Sequence, residues 1–118
     1  MSNYYLKAIL LKGCSYSNSA SELMTLHQIP VKAIWVEQSE KENYKNNLIN
    51  TFPQIYLKKN GNVGNLLLGG YQELYDFTST FLGQKLSHPN IDTWIKKTGW
   101  SKKSTLRLIQ LINKINSK

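Results

Sequence analysis

The residue of this sequence that is best suited to a chemical reaction is Cys14, the only cysteine among 118 residues. It follows the apolar run from Tyr4 to Leu11 and precedes a segment in which apolar residues recur at helical spacing. A thiol carried by a strand to the first turn of a helix meets unpaired N–H groups and the positive end of the helix dipole, which stabilise a thiolate. Because no second cysteine exists, Cys14 cannot form a disulfide within its own chain. The pattern predicts a reactive thiol and therefore a redox site.

The elements that must position this thiol follow from the hydrophobic pattern. A buried strand, a helix and a second strand form a βαβ unit, which demands parallel strands and a right-handed crossover. A further helix, a hairpin around Asn60-Gly61 and a third helix complete the order. The predicted strands cover 4–12, 31–37, 54–58 and 65–68, and the predicted helices cover 17–28, 40–50 and 71–82. This order predicts an α/β fold with a four-stranded mixed sheet and helices on both faces, which is a thioredoxin-like arrangement.

The net charge of +8 is concentrated in the last part of the chain. Residues 1–85 carry eight lysines and six acids, whereas residues 86–118 carry seven Lys or Arg and a single acid, Asp92. We therefore expect a domain over 1–85 and a basic helical C-terminal extension over 86–118, packed on or next to that domain. Binding of nucleic acid or of an acidic partner by this extension is an open alternative, but scattered lysines more often form a solvated surface.

Composition excludes several classes of protein. No apolar stretch approaches the roughly 20 residues of a membrane span, and no signal-peptide pattern opens the chain. A single cysteine fits a reducing compartment, so we expect a cytoplasmic location. With His27 and His88 as the only histidines, we expect no metal site built from this chain alone.

The sequence has Cys-Ser-Tyr-Ser at 14–17, Thr-Phe-Pro at 51–53 and Gly-Gly-Tyr-Gln-Glu-Leu at 69–74. These three separated motifs together resemble those of the glutaredoxins, over roughly residues 4–83. In that family the corresponding segments are the Cys-Pro-Tyr-Cys active site, the Thr-Val-Pro segment with its cis proline, and a Gly-Gly-x-Asp-Asp-Leu motif. Ser17 replaces the second cysteine, so the sequence resembles the monothiol members.

The resemblance implies that glutathione is the cofactor and lies in a groove beside the catalytic residue Cys14. The backbone before the cis proline would pair with the cysteine moiety of glutathione. Backbone N–H groups after the glycine pair would hold its γ-glutamyl carboxylate, and a lysine ahead of the cysteine would bind its glycine carboxylate. The implied glutathione-binding residues are Lys12, Tyr16, Phe52, Pro53, Gly70, Tyr71 and Gln72.

The implied function is a glutathione-dependent thiol–disulfide oxidoreductase that reduces protein–glutathione mixed disulfides through Cys14, with glutathionylated proteins as substrates. The Ser17 hydroxyl could donate a hydrogen bond to the thiolate but cannot resolve the mixed disulfide. Two alternatives stay open. Two chains and two glutathiones could hold a [2Fe–2S] cluster through two Cys14 thiolates, or the fold could be a non-catalytic binding module that uses its basic extension.

Overall fold

The computed structural model describes residues 4–59, 61, 66–82 and 88–116. The strands in these ranges are β1 (Tyr4–Leu11), β2 (Val31–Val36), β3 (Gln54–Lys59) and β4 (Leu66–Gly69). The α-helices are α1 (Ser15–Leu26), α2 (Tyr71–Phe81), α3 (His88–Thr98) and α4 (Lys102–Asn116), and a 3-10 helix, Gln38–Tyr44, follows β2. No helix within these ranges is both long enough and apolar enough to cross a membrane.

The strands form one mixed sheet in the order β2-β1-β3-β4. β1 runs parallel to β2 and antiparallel to β3, and β4 adds antiparallel to β3. The predicted pairing of a hairpin is therefore confirmed, although Asn60 and residues 62–65 of its turn lie outside the described residues. The α/β class and the four-stranded mixed sheet are confirmed as well, and they are compatible with a thioredoxin-like fold.

The described α-helices all contribute to one apolar cluster on a single face of this sheet. The strand residues Leu6, Ala8 and Leu10 are fully buried there. The helical side chains packed with them include Met24, Leu74, Phe77, Trp94, Leu108 and Leu111. Full burial of a Leu or Phe side chain stabilises the fold by about 1.5–3 kcal/mol relative to exposure, so this cluster supplies most of the hydrophobic stabilisation. The described α-helices therefore lie on one face, and the only described helix on the opposite face is the 3-10 helix.

The opposite face has a smaller cluster and a different cover. Its buried members are Ile9, Leu11, Val36 and Tyr56, and Tyr44, Ile49 and Phe52 pack against them. The prediction of a helix over 40–50 is wrong, because the chain forms the 3-10 helix and then a loop. In that loop the Asn46 side-chain oxygen accepts the N–H groups of Leu48, at 2.8 Å, and Ile49, at 3.0 Å. An Asn side chain that satisfies nearby backbone donors in this way competes with helix formation.

Trp94 of α3 joins the C-terminal helices to the main cluster. It is 2% exposed, and its ring centroid lies 5.5 Å from that of Phe81 and 5.7 Å from that of Trp100. The buried apolar residues of α4 are Leu108, Leu111, Ile112 and Ile115, at the helical spacing of an amphipathic helix. The boundary expected between residues 85 and 86 lies outside the described residues.

Because α4 packs into the main apolar cluster, shortening one of its buried side chains should lower the free energy of unfolding substantially. Leu111→Ala removes a fully buried side chain, so we expect a loss of about 2–5 kcal/mol in the free energy of unfolding. Leu106→Ala is the matched control, because Leu106 lies on the same helix with half of its surface exposed and should change stability by less than about 0.5 kcal/mol. Urea denaturation followed by circular dichroism measures both, and equal effects would contradict the packing described.

Candidate functional site

The register of the strands brings the three motif segments together at one end of the sheet. Ile9, near the end of β1, pairs with Gln54 at the start of β3, and Ile55 pairs with Gly69 at the end of β4. The chain therefore leaves β1, enters β3 and leaves β4 at neighbouring points. Cys14 lies shortly after the end of β1, Pro53 directly precedes β3, and α2 begins shortly after the end of β4.

Cys14 is the N-cap residue of α1, with a free and half-buried thiol. Its N–H donates to the Leu11 carbonyl at 3.2 Å, and its own carbonyl accepts the N–H of Asn18 at 3.0 Å. Gly13, with φ of +81°, turns the chain between the strand and the helix. The helix begins at Ser15, two residues earlier than we predict from sequence, and this places the thiol directly before the first-turn N–H groups.

Ser17 has a structural role that its motif position does not reveal. It is fully buried, and its hydroxyl oxygen accepts the N–H of Leu11 at 3.0 Å. That N–H belongs to the last residue of β1, so the bond joins the end of the strand to the first turn of α1. No hydrogen bond between Ser17 and Cys14 is present in the described part of the chain.

Lys12 does not line the groove described below. Its ammonium group forms an ion pair with Glu37, and both side chains are about half exposed. Its carbonyl also accepts the Gln38 side-chain N–H at 2.7 Å, so this turn is tied to the segment that follows β2. These contacts occupy the lysine that the resemblance assigns to a glutathione carboxylate.

The second segment is held by a buried amide. The Phe52–Pro53 peptide bond is cis, as the resemblance implies. Gln54 is fully buried; its side-chain nitrogen donates to the Tyr44 carbonyl at 2.9 Å, and its oxygen accepts the Tyr56 hydroxyl at 3.3 Å. These bonds fix the loop that precedes β3 and thereby fix the backbone of Phe52.

The third segment needs glycine at position 69, whereas position 70 makes only a close approach to the second segment. Gly69 has a φ of +137°, and a Cβ there would lie 2.4 Å from the Glu73 Cγ. Gly70 approaches the Pro53 carbonyl, since a Cβ at residue 70 would lie 3.4 Å from that oxygen. The Glu73 carboxylate accepts the Gly70 N–H at 2.7 Å, which is one half of a capping box at the start of α2.

These segments enclose an open groove of about 470 Å³. Its lining residues are Tyr16, Thr51, Phe52, Gly70, Tyr71, Gln72 and Glu73. Five of the seven predicted binding residues therefore line one cavity, whereas Lys12 and Pro53 do not. The Tyr16 and Tyr71 rings lie 6.0 Å apart between centroids and join α1 to α2 along the groove.

Thr51 and Glu73 line the groove although sequence reasoning does not assign them to it. Both belong to the quoted motifs, and an acid three residues after Gly70 is a capping signal that could have identified Glu73. The start of α2 offers N–H groups and a positive dipole end, which favour a carboxylate. The strand-like backbone before Pro53 can pair with an extended peptide. The groove is therefore suited to a short anionic peptide, although the predicted catalytic residue Cys14 is not among its lining residues.

No family model matches the chain, and no curated protein matches it significantly. Among the described residues there is also no cluster of three or more His, Cys, Asp or Glu that could hold a metal ion.

The buried Ser17 contact generates a stability prediction. Ser17→Ala leaves the Leu11 N–H buried without its acceptor, so we expect a loss of about 1–3 kcal/mol in the free energy of unfolding. Ser15→Ala removes the same hydroxyl from an exposed position of the same helix and should change stability by less than about 0.5 kcal/mol. Urea denaturation of the two variants checks this, and unchanged stability of Ser17→Ala would show that the hydrogen bond contributes nothing.

Proposed function

We propose that this protein is a monothiol thiol transferase of the glutaredoxin type, which uses glutathione to reduce protein–glutathione mixed disulfides. The observation that carries this proposal is the convergence of three distant motif segments around one groove, whose lining residue Tyr16 lies two residues after the helix-capping Cys14. A reducing compartment such as the cytoplasm suits this chemistry, because glutathione keeps thiols reduced there.

In this proposal the glutathionyl part of the substrate occupies the groove. Its γ-glutamyl carboxylate accepts the backbone N–H groups of Tyr71 and Gln72 at the start of α2. Its cysteine moiety pairs with the backbone of Phe52 in the manner of an added strand. The Tyr16 and Tyr71 rings form the wall that links this site to α1.

The reaction then proceeds in two thiol–disulfide exchanges. The Cys14 thiolate attacks the glutathione sulfur of the mixed disulfide, forms a new S–S bond and releases the protein thiolate. A second glutathione thiolate attacks the glutathionylated Cys14, releasing oxidised glutathione and restoring the Cys14 thiolate. Because position 17 carries a hydroxyl engaged with Leu11, no second thiol of this chain competes with glutathione in that second step.

The first test measures glutathione-dependent reduction of a glutathionylated peptide by metal-free, fully reduced protein. We expect Cys14→Ser to reduce the rate to that of the uncatalysed reaction, because the nucleophile is gone. Ser15→Ala is the matched control, since it alters an exposed position of the same motif but keeps both the thiol and the Ser17 contact, and it should retain most of the activity.

Inactive wild-type protein would contradict the transferase proposal. A brown colour in freshly purified protein that is lost in Cys14→Ser, together with such inactivity, would instead support the cluster carrier. Inactive protein without colour would support a non-catalytic binding module.

The position of Glu73 in the groove predicts that removing its negative charge raises the affinity for the substrate. Glu73→Gln keeps an oxygen for the Gly70 N–H but removes a negative charge beside the proposed carboxylate site. We expect the KM for the glutathionylated peptide to fall by roughly two- to fivefold with little change in kcat. Glu22→Gln, an equal charge change at an exposed position of α1, should leave the KM unchanged. A rise in KM, or equal shifts in the two variants, would contradict this placement of the carboxylate.

A further inference from the structure

One end of the sheet face opposite the α-helices carries a basic surface, which we call the open face. It consists of Tyr5, Lys7, Lys32 and Lys58. Lys7 pairs in register with Lys32 across β1 and β2, and Tyr5 pairs with Lys58 across β1 and β3. Paired residues point to the same side of the sheet. This side is opposite to the one on which Leu6 and Ala8 are buried. The 3-10 helix and its loop pack at the other end of this face, against Ile9, Leu11 and Tyr56.

The charge of the open face is not balanced by its own strands. Within their described bounds the four strands contain four lysines and no Asp or Glu. Lys7 and Lys32 are direct neighbours, and like charges in this position repel each other. The described ion pairs involve other lysines, namely Lys12, Lys45 and Lys97. An anion bound across the strands would relieve this repulsion.

Tyr5 gives this surface an aromatic component. Its ring is half-buried in the sheet, and the Lys32 ammonium lies over the ring, 4.8 Å from the centroid. Such a surface is suited to an unpaired base that stacks on the ring and displaces the Lys32 ammonium toward the adjoining phosphates. A duplex hides its base faces, and an acidic peptide has no base to stack.

We propose that the open face binds single-stranded nucleic acid, with a base on Tyr5 and the backbone phosphates at Lys7, Lys32 and Lys58. This site is separate from the thiol, because the six residue steps from Tyr5 to Leu11 span about 20 Å along β1 and Cys14 lies beyond Leu11. It also differs from the basic C-terminal extension, whose described lysines lie on α3 and α4.

The test is fluorescence anisotropy with a labelled oligothymidine of about 12 nucleotides, titrated at several salt concentrations. The triple variant Lys7→Gln, Lys32→Gln, Lys58→Gln should bind at least about tenfold more weakly. Its plot of log affinity against log salt should have a slope smaller by about 2, because three phosphate contacts are lost. Tyr5→Leu should weaken binding about fivefold or more, through loss of stacking.

The matched control removes the same charge from the C-terminal helices by Lys96→Gln, Lys102→Gln and Lys103→Gln, all at exposed positions. We expect it to lose much less affinity than the open-face variant. Circular dichroism and Tm check the fold of each variant. If the open-face variant unfolds, Lys32→Gln alone, at an exposed position, should still weaken binding several-fold.

Four results would overturn the proposal. The first is no binding by the wild-type protein at low salt. The second is an equal or larger loss in the C-terminal control, which would assign binding to overall charge or to the extension. The third is equal affinity for duplex of the same length, and the fourth is displacement of the oligonucleotide by polyglutamate at an equal concentration of negative charge.

Discussion

The burial of Leu6, Ala8 and Leu10 of β1 against the helices is the contact on which the rest of the molecule depends. β1 is central in the sheet, and one side of it is closed by residues of every described α-helix. Because the helices share that side, the other side is left to a 3-10 helix and a loop. The same packing therefore explains both the integration of the C-terminal helices and the accessibility of the basic strand residues.

The candidate site uses short connections at one end of this sheet. Each motif follows or precedes a strand end by only a few residues, so the rigid register of the strands limits how far the groove can shift. Backbone groups supply most of the proposed ligand contacts, which leaves the side chains at those positions free to differ between proteins. The short connections also explain why Gly69 and a buried glutamine are needed beside the groove.

The sequence predicts the four strands, α1 and α2, because their alternating or helical patterns match the faces that become buried. It also identifies five groove residues through the motifs. It does not predict the loop after Tyr44, where the Asn46 side chain replaces helical hydrogen bonds with local ones. Nor does it predict that Lys12 pairs with Glu37, since the two residues are far apart in sequence and meet only through the β1–β2 pairing. The open face escapes prediction for a related reason, because an expected helix over 40–50 would have covered it.

The hydrogen bond between Leu11 and Ser17 has a consequence for how this chain could evolve. A change of Ser17 to Cys would create a two-cysteine motif by a single substitution. Sulfur is a larger and weaker acceptor than a hydroxyl oxygen, so that change would weaken the bond joining strand to helix. The serine is thus both a part of the Cys-Ser-Tyr-Ser segment and a structural residue of the fold. A chain that acquires a second thiol at position 17 would need a compensating change near the end of β1.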